Sequence, residues 1–320
     1  MLVRAAGSGA RDDIAERLED WYGEDDMFDF HQYLKDRIHG VEECLDRRLP
    51  PASARPAVLH EAMRYSVFAG GKRLRPVLCL AAAEAVGGAM DQALLPAAAI
   101  ELLHTYTLIH DDLPAMDNDA LRRGKPTCHV AFGEANAILA GDALLTLAFE
   151  WMACCSAPPP YQPNQFALEL AEAAGSRGVI AGQVEDLAAE GKPTTPDAVE
   201  FIHLHKTAVL FRAAARIGAM AGRAKESACN ALTIYGGDLG LAFQIVDDLL
   251  NVTSSPEALG KAVGSDQQRG KATWVSIHGV EAARHRAERL VEQAVSRLEG
   301  LRGPVEPLRA LAHYAIHREC

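Results

Sequence analysis

The chain has 320 residues, 49% of them hydrophobic, and a formal net charge of −11 from 43 acidic against 32 basic residues. That is enough for one large domain or two smaller ones, and the acidic balance argues against a nucleic-acid partner, whose usual footprint is a basic surface. An anionic small molecule stays open as a substrate, because local cations and metal override the global sign.

In chain order, residues 1–28 are rich in Gly, Ala and Asp, carry no signal-peptide pattern, and are expected to form a flexible N-terminal extension. Residues 29–320 are expected to form one domain. From Phe30 the pattern turns helical, with Tyr33, Ile38, Val41, Cys44 and Leu45 recurring at helical spacing until Pro50-Pro51. Later segments are Ala/Leu-rich: Leu78–Val86, Leu94–Ile109, Ala135–Ala153, Phe166–Ala174, Ala198–Ala221, Ala228–Val246 and Ala282–Leu298. Gly87-Gly88, Pro158-Pro159-Pro160, Gly191-Lys192-Pro193 and Gly236-Gly237 are expected to separate helices. No alternating strand of useful length is found. The expected fold is all-α, a single-domain bundle of many helices around a central cavity. No apolar run reaches the roughly 18 residues of a membrane span, so no stable membrane insertion is expected. The seven cysteines form no CxxC pair and read as reduced core thiols of a cytoplasmic protein.

Two acidic turns carry the chemistry. Asp111-Asp112 with Asp117, and Asp247-Asp248 with Asn251, each follow an apolar segment. Carboxylates there are costly unless a cation compensates them, and hard oxygen ligands suit Mg²⁺. Asp247 and Asn251 are four apart and are expected to share a helix face, with Asp248 turned about 100° away. Gln244 lies one turn upstream on nearly the same face. Asp111 and Asp117 are six apart, which a regular helix does not align; Pro114 breaks the ladder between them, and a bulge there is expected to return Asp117 to Asp111.

Cations flank these turns. Gly70-Gly71-Lys72-Arg73-Leu74-Arg75-Pro76 reads as a glycine turn, three cations and a proline at the first helical position, an anion-binding arrangement. Arg122-Arg123 follows the first acidic turn closely. Lys206-Thr207, Lys261 and Lys271 add donors of the phosphate-binding type, and His104 lies two turns before Asp111 on the same helix face.

The ordered motifs GGKRLRP, ELLHTYTLIHDDLPAMDNDALRRGKPT, FGEANAILAGDALL, GQVEDL, KTAVLF, FQIVDDLLN and GKAVGSDQQRGKAT resemble the trans-isoprenyl diphosphate synthase (polyprenyl synthetase) family from about Phe30 to the C-terminus. The resemblance implies the all-α isoprenoid synthase fold, a homodimer and a cluster of about three Mg²⁺ ions. It implies ionisation of an allylic diphosphate, attack on the cation by the double bond of isopentenyl diphosphate, and loss of a proton to the released diphosphate. It puts Mg²⁺ on Asp111, Asp117 and Asp247, with Asp112 and Asp248 close by. Isopentenyl diphosphate falls to Lys72, Arg75, His104 and Arg123, and the allylic diphosphate to Arg122, Lys206, Thr207, Gln244, Lys261 and Lys271. Backbone carbonyls and polar oxygens near Lys206-Thr207 and Gln244 are implied to face the carbocation. The second motif departs from the family, ending in Asn251 where Asp is usual, which implies a weaker or water-mediated metal contact.

Product length is expected to depend on Tyr106 and Thr107, five and four positions before Asp111. An aromatic at the first of these, with the Pro-Ala insertion in the motif, resembles bacterial short-chain farnesyl diphosphate synthases. The expected product is farnesyl diphosphate from dimethylallyl or geranyl diphosphate, with geranylgeranyl or geranyl diphosphate as alternatives. A terpene cyclase would lack a second diphosphate site, contrary to Lys72, Arg75 and Arg123; an HD-type phosphohydrolase would need imidazole ligands. A non-catalytic regulatory subunit would show eroded acidic motifs, and here only Asn251 deviates.

Overall fold

Asp29 opens the first helix by accepting the amide of Gln32 at 2.8 Å, and the helix closes on Arg47 and Arg48, cations suited to its negative end. A computed structural model describes residues 28–253 and 270–318. Residues 1–27, Lys261 and Cys320, each subject to an expectation above, lie outside that range.

The helices are α1 (Phe30–Arg48), α2 (Ala57–Val67), α3 (Leu74–Ala85), α4 (Met90–Asp111), α5 (Cys128–Phe132), α6 (Glu134–Ala153), α7 (Gln165–Ala174), α8 (Val179–Ala189) and α9 (Pro196–Ile202). A π-helical turn, His203–Ala208, leads into α10 (Val209–Ala221). Then come α11 (Glu226–Thr253), α12 (Trp274–His278), α13 (Val280–Ser296) and α14 (Glu306–His317). Two two-residue strands, β1 (Leu121–Arg122) and β2 (Lys125–Pro126), form an antiparallel hairpin. The fold is all-α. Helix α3 is its centre: every residue except Arg75 is buried, and it packs between α4 and α10. Ala is the commonest residue of α3 and α10 and forms the buried run Ala97–Ala99 in α4, letting backbones approach closely without losing side-chain entropy.

Three expectations change. Gly236-Gly237 does not end a helix; it lies inside the 28-residue α11. A Cβ on Gly236 would come within 2.8 Å of Ala215 Cβ and the Phe211 carbonyl, so the glycine marks where α11 crosses α10. The segment Ala198–Ala221 is interrupted by the π-helical turn at 203–208. Pro76 is the third helical residue rather than the first, because Arg73, at φ +50°, turns the chain into α3 two residues earlier than expected. Helices α2, α5, α8, α12 and α14 are added to those read from the pattern. The six described cysteines are free thiols, four of them buried.

Candidate active site

Helix α4 stops at Asp111, and the loop through Pro114 doubles back: the Asp117 amide donates to the Asp111 carbonyl at 2.8 Å and the Asn118 amide to the Leu113 carbonyl at 3.0 Å. The bulge thus brings Asp117 back to Asp111, as the spacing required. Burial pushes the Asp111 carboxyl up to about 6; the Asp117 charge adds to this, while the Lys206 charge opposes it. Asp112 turns inward, 3% exposed, and accepts Arg122 Nε at 2.8 and 2.9 Å and Nη2 at 2.6 Å. The hairpin explains this geometry. Arg123 and Gly124 both have positive φ, the requirement of a tight two-residue turn, so Arg122 faces the acidic turn while Arg123 faces away. Arg122, expected on the allylic diphosphate, is therefore first the counter-ion of Asp112.

The second acidic turn is built differently, because α11 runs on through it to Thr253. Asp247 is exposed and receives Arg318 Nη2 at 3.2 Å, whereas Asp248 is 3% exposed and Asn251 is also buried. Asp247 and Asn251 stay one turn apart on a regular helix, as expected, but differ in burial. The helical step between them is regular, but spacing along a helix does not say which part of a face its neighbours cover.

Two of the cations expected on the allylic side, Lys206 and Lys271, converge on an acid that sequence reasoning did not assign. Lys206 donates to Asp186 at 2.6 Å, and Lys271 bridges Asp117 at 2.9 Å and Asp186 at 3.3 Å. Burial alone would raise the Asp186 carboxyl, but the Lys206 and Lys271 charges outweigh it and hold the group below the usual carboxylate range. Asp186 lies in the GQVEDL motif; its position there, one turn after Gln183, was the available signal. Gln183 is buried, and neither atom of its amide has a partner among the described residues. Helix α8 meets the π-helical turn tightly: a Cβ on Gly182 would stand 2.1 Å from the Lys206 amide nitrogen. Thr207 donates to Gln244 Oε1 at 2.7 Å, and Gln244 Nε2 donates to Asp248 Oδ1 at 3.0 Å.

A second basic group forms where α3 begins. Arg73 is not part of it: 3% exposed, it turns into the core, donating to Glu101 at 2.8 Å and to the Val67 carbonyl at 2.6 Å. Arg75 Nη1 meets His104 Nε2 at 3.2 Å, and its guanidinium lies 4.6 Å from the centre of the Phe211 ring. Burial pushes Arg75 down to about 10, with Glu101 opposing and Arg123 and Arg318 adding to the effect, so it stays cationic at neutral pH. Burial and the Arg75 and Arg123 charges hold His104 well below the usual imidazole range, so the ring is neutral and its Nε2 accepts. Arg123 donates to the Gly70 carbonyl over the glycine turn that presents Lys72.

Tyr106 is half-buried, its ring edge-on to His110 at 4.9 Å. Burial raises its hydroxyl pKa, with the Asp111 and Asp142 charges adding, which puts the side chain on the α6 side of the first acidic turn. The Thr107 hydroxyl is satisfied within its own helix by the His104 carbonyl at 2.8 Å.

Among the described residues, no three His, Cys, Asp or Glu side chains are gathered closely enough to hold a metal ion by themselves. The donors fit Mg²⁺ all the same. They are carboxylate oxygens without soft ligands, and Mg²⁺ commonly takes one or two carboxylates and completes its shell with water and substrate phosphate. Burial is what raises the Asp111 carboxyl, so its ionised form would gain from a cation brought beside it.

The sequence profile described as polyprenyl synthetase matches residues 56–303. The chain is 46% identical over 296 residues to geranylgeranyl pyrophosphate synthase 7, chloroplastic, of Arabidopsis thaliana, covering 91% of this chain and 85% of that one. A geranylgeranyl pyrophosphate synthetase structure from Pyrococcus horikoshii superposes with a TM-score of 0.82 at 32% identity, over 91% of this chain and 98% of that one. A geranyltransferase from Helicobacter pylori, complexed with magnesium and isoprenyl diphosphate, superposes with a TM-score of 0.75 at 32% identity, over 91% and 97%.

Proposed function

The chain belongs to the polyprenyl synthetase family, and from that premise we propose that it is a Mg²⁺-dependent prenyl diphosphate synthase joining isopentenyl diphosphate to an allylic diphosphate. The observation that carries this reading is the division of cations into two groups. Lys206 and Lys271 stand with Asp117 and Asp186, while Arg75, Arg123 and His104 stand apart at the start of α3. Two anion sites suit two diphosphate substrates; a cyclase needs one.

In this reading Asp111, Asp117 and Asp247 hold the metal, which when bound neutralises the charge developing on the leaving diphosphate. Lys206 and Lys271 exchange part of their pairing with Asp186 for the allylic diphosphate and stabilise it as its carbon–oxygen bond breaks. The Thr207 and Gln244 oxygens face the allylic cation. Lys72, Arg75 and Arg123 orient isopentenyl diphosphate, with neutral His104 fixing Arg75. The double bond attacks the cation, a carbon–carbon bond forms, and the proton lost passes to the released diphosphate.

For product length, geranylgeranyl diphosphate is the reading supported best, because two of the three relatives named above are geranylgeranyl synthases. The farnesyl expectation rests on Tyr106 beside Asp111 and stays the second reading. We also take the active form to be a homodimer. Val130 on α5 with Ile138 and Leu139 on α6 are exposed by 52%, 43% and 55%, an apolar stripe suited to a second copy. No described helix is long and apolar enough to cross a membrane.

The test is condensation of labelled isopentenyl diphosphate with dimethylallyl, geranyl or farnesyl diphosphate in Mg²⁺, read by chromatography. A C20 product supports the first reading of length and a C15 product the second. Absence of any condensation overturns the synthase reading.

A further inference from the structure

His203 is the first residue of the π-helical turn that carries Lys206 and Thr207. Its side chain is 4% exposed, and its Nε2 stands 3.2 Å from Oδ2 of Asp248, which is 3% exposed. The same Oδ2 accepts the Trp274 amide at 2.7 Å, and Oδ1 accepts Gln244 Nε2 at 3.0 Å. Gln244 in turn accepts the Thr207 hydroxyl at 2.7 Å. One buried carboxylate thus ties together the π-helical turn, α11 and the first residue of α12. The chain enters α12 three residues after Lys271, the cation that bridges Asp117 and Asp186.

We propose that His203 is a positioning residue for the allylic half of the site, acting through Asp248 on Gln244 and Thr207 to one side and on Lys271 to the other. This rests on the synthase reading above. The chemistry explains why an imidazole stands here. Asp248 is buried, and its partners among the described residues include neither Lys nor Arg; a charge so placed needs several donors, and they must point from different elements. The Trp274 amide and the Gln244 amide donate two, and the His203 ring brings its Nε2 to 3.2 Å from the same carboxylate, an ion-pair distance, from the element that bears Lys206 and Thr207. A side chain of similar size without a donor would fill the volume but leave the carboxylate free to turn. The His203 ring is also tilted toward Trp274, at 6.3 Å between centres, so the indole reports on the same junction. On the isopentenyl side, Arg75 meets His104 and Arg123 reaches the Gly70 carbonyl, both away from this network.

The separation makes the proposal testable by a split between substrates. Outer partners of ligand groups commonly change affinity by about 10-fold to 100-fold when removed. His203→Leu is expected to raise the KM for the allylic diphosphate by about 10-fold or more, on that scale, with the KM for isopentenyl diphosphate unchanged. His203→Gln, whose amide nitrogen reaches the position of Nε2, is expected to recover most of the loss. His203→Asn keeps polarity but falls short of Asp248; it is the variant to use if the leucine form does not fold, and should show the same split. Independently of turnover, the fluorescence change on adding inorganic diphosphate with Mg²⁺ should need higher diphosphate in the leucine or asparagine form than in the wild type and the glutamine form. Equal shifts in both KM values, wild-type values throughout, or failure of glutamine to recover the allylic KM would each overturn the positioning role. If the wild type condenses nothing, the synthase reading fails, while the fluorescence titration still decides the role of His203.

Discussion

The two acidic turns share a sequence, Asp-Asp after an apolar helix, and differ in what the helix does next. Helix α4 ends at Asp111, so the chain is free to loop over Pro114 and bring Asp117 back. Helix α11 does not end, so Asp247 and Asp248 leave the same rod on different sides, one exposed beside Arg318 and one buried among His203, Gln244 and Trp274. In the first turn the inward carboxylate, Asp112, is met by a full guanidinium charge; in the second the inward carboxylate, Asp248, is met by neutral amides and an imidazole. The same dipeptide therefore supplies in each case a buried scaffold carboxylate and one that the proposed function gives to the metal, and the scaffold halves are compensated by different chemistry.

That contrast is broken most directly at the outward acids. Asp111→Asn is expected to lower kcat by about 10³-fold, the scale of losing one group that stabilises a transition state, with little change in melting temperature. The paired measurement, turnover of labelled isopentenyl diphosphate beside a thermal melt, should give the reverse emphasis for Asp248→Leu. Removing the buried carboxylate leaves its donors, the Gln244 and Trp274 amides, unsatisfied, at about 1–3 kcal/mol each. Its melting temperature should therefore fall clearly. If Asp248→Leu melts like the wild type, the scaffold assignment is wrong.

Next in size is product length. Tyr106→Ala should lengthen the prenyl product by at least one isoprene unit, read by chromatography, because in the synthase reading the half-buried ring, edge-on to His110 in the turns before Asp111, is the floor met by the growing chain. Unchanged length would remove the steric argument and with it the second reading of product.

A smaller effect concerns pH. His104 is held neutral in the folded protein by burial and by Arg75 and Arg123, so its folded pKa lies below the unfolded value near 6.5. Its sign follows: as pH falls through about 6.5 the unfolded chain takes up the proton first, and stability is lost toward lower pH. His104→Gln should flatten the fall in denaturation midpoint between pH 7 and 5; an unchanged slope would show that His104 does not contribute to it. The smallest expected effect is at Asn251. Because this residue is buried, Asn251→Asp should lower the melting temperature modestly while hardly moving the Mg²⁺ concentration needed for half-maximal turnover. A sharply lower Mg²⁺ requirement would restore Asn251 to the ligand face.

The order of residues alone makes much of this molecule legible. The Ala/Leu segments mark the helices because burial of small apolar side chains at helical spacing has few alternatives, and the Pro114 bulge follows from a missing amide. What stays hidden in the sequence is equally specific. Gly236-Gly237 looks like a break because glycine weakens an isolated helix, but here it is needed for contact with α10. Asp186, His203 and Arg318 escape notice because each acquires its meaning from partners far away in the chain: Lys271, Asp248 and Asp247. Arg73 and Arg75 are two residues apart in one motif, yet one is a core ion pair and the other lines the basic group.

The sequence by itself determined the all-α class, the family, the two acidic turns and the cations around them, since these depend on local periodicity, breakers and residue chemistry in order. Only the tertiary structure decided which carboxylate of each pair faces inward, that Arg122 is bound to Asp112, and that Lys206 and Lys271 meet on Asp186. The reason is physical: helical spacing fixes the angle between side chains, but burial and the choice of counter-ion depend on which other helix arrives at that face.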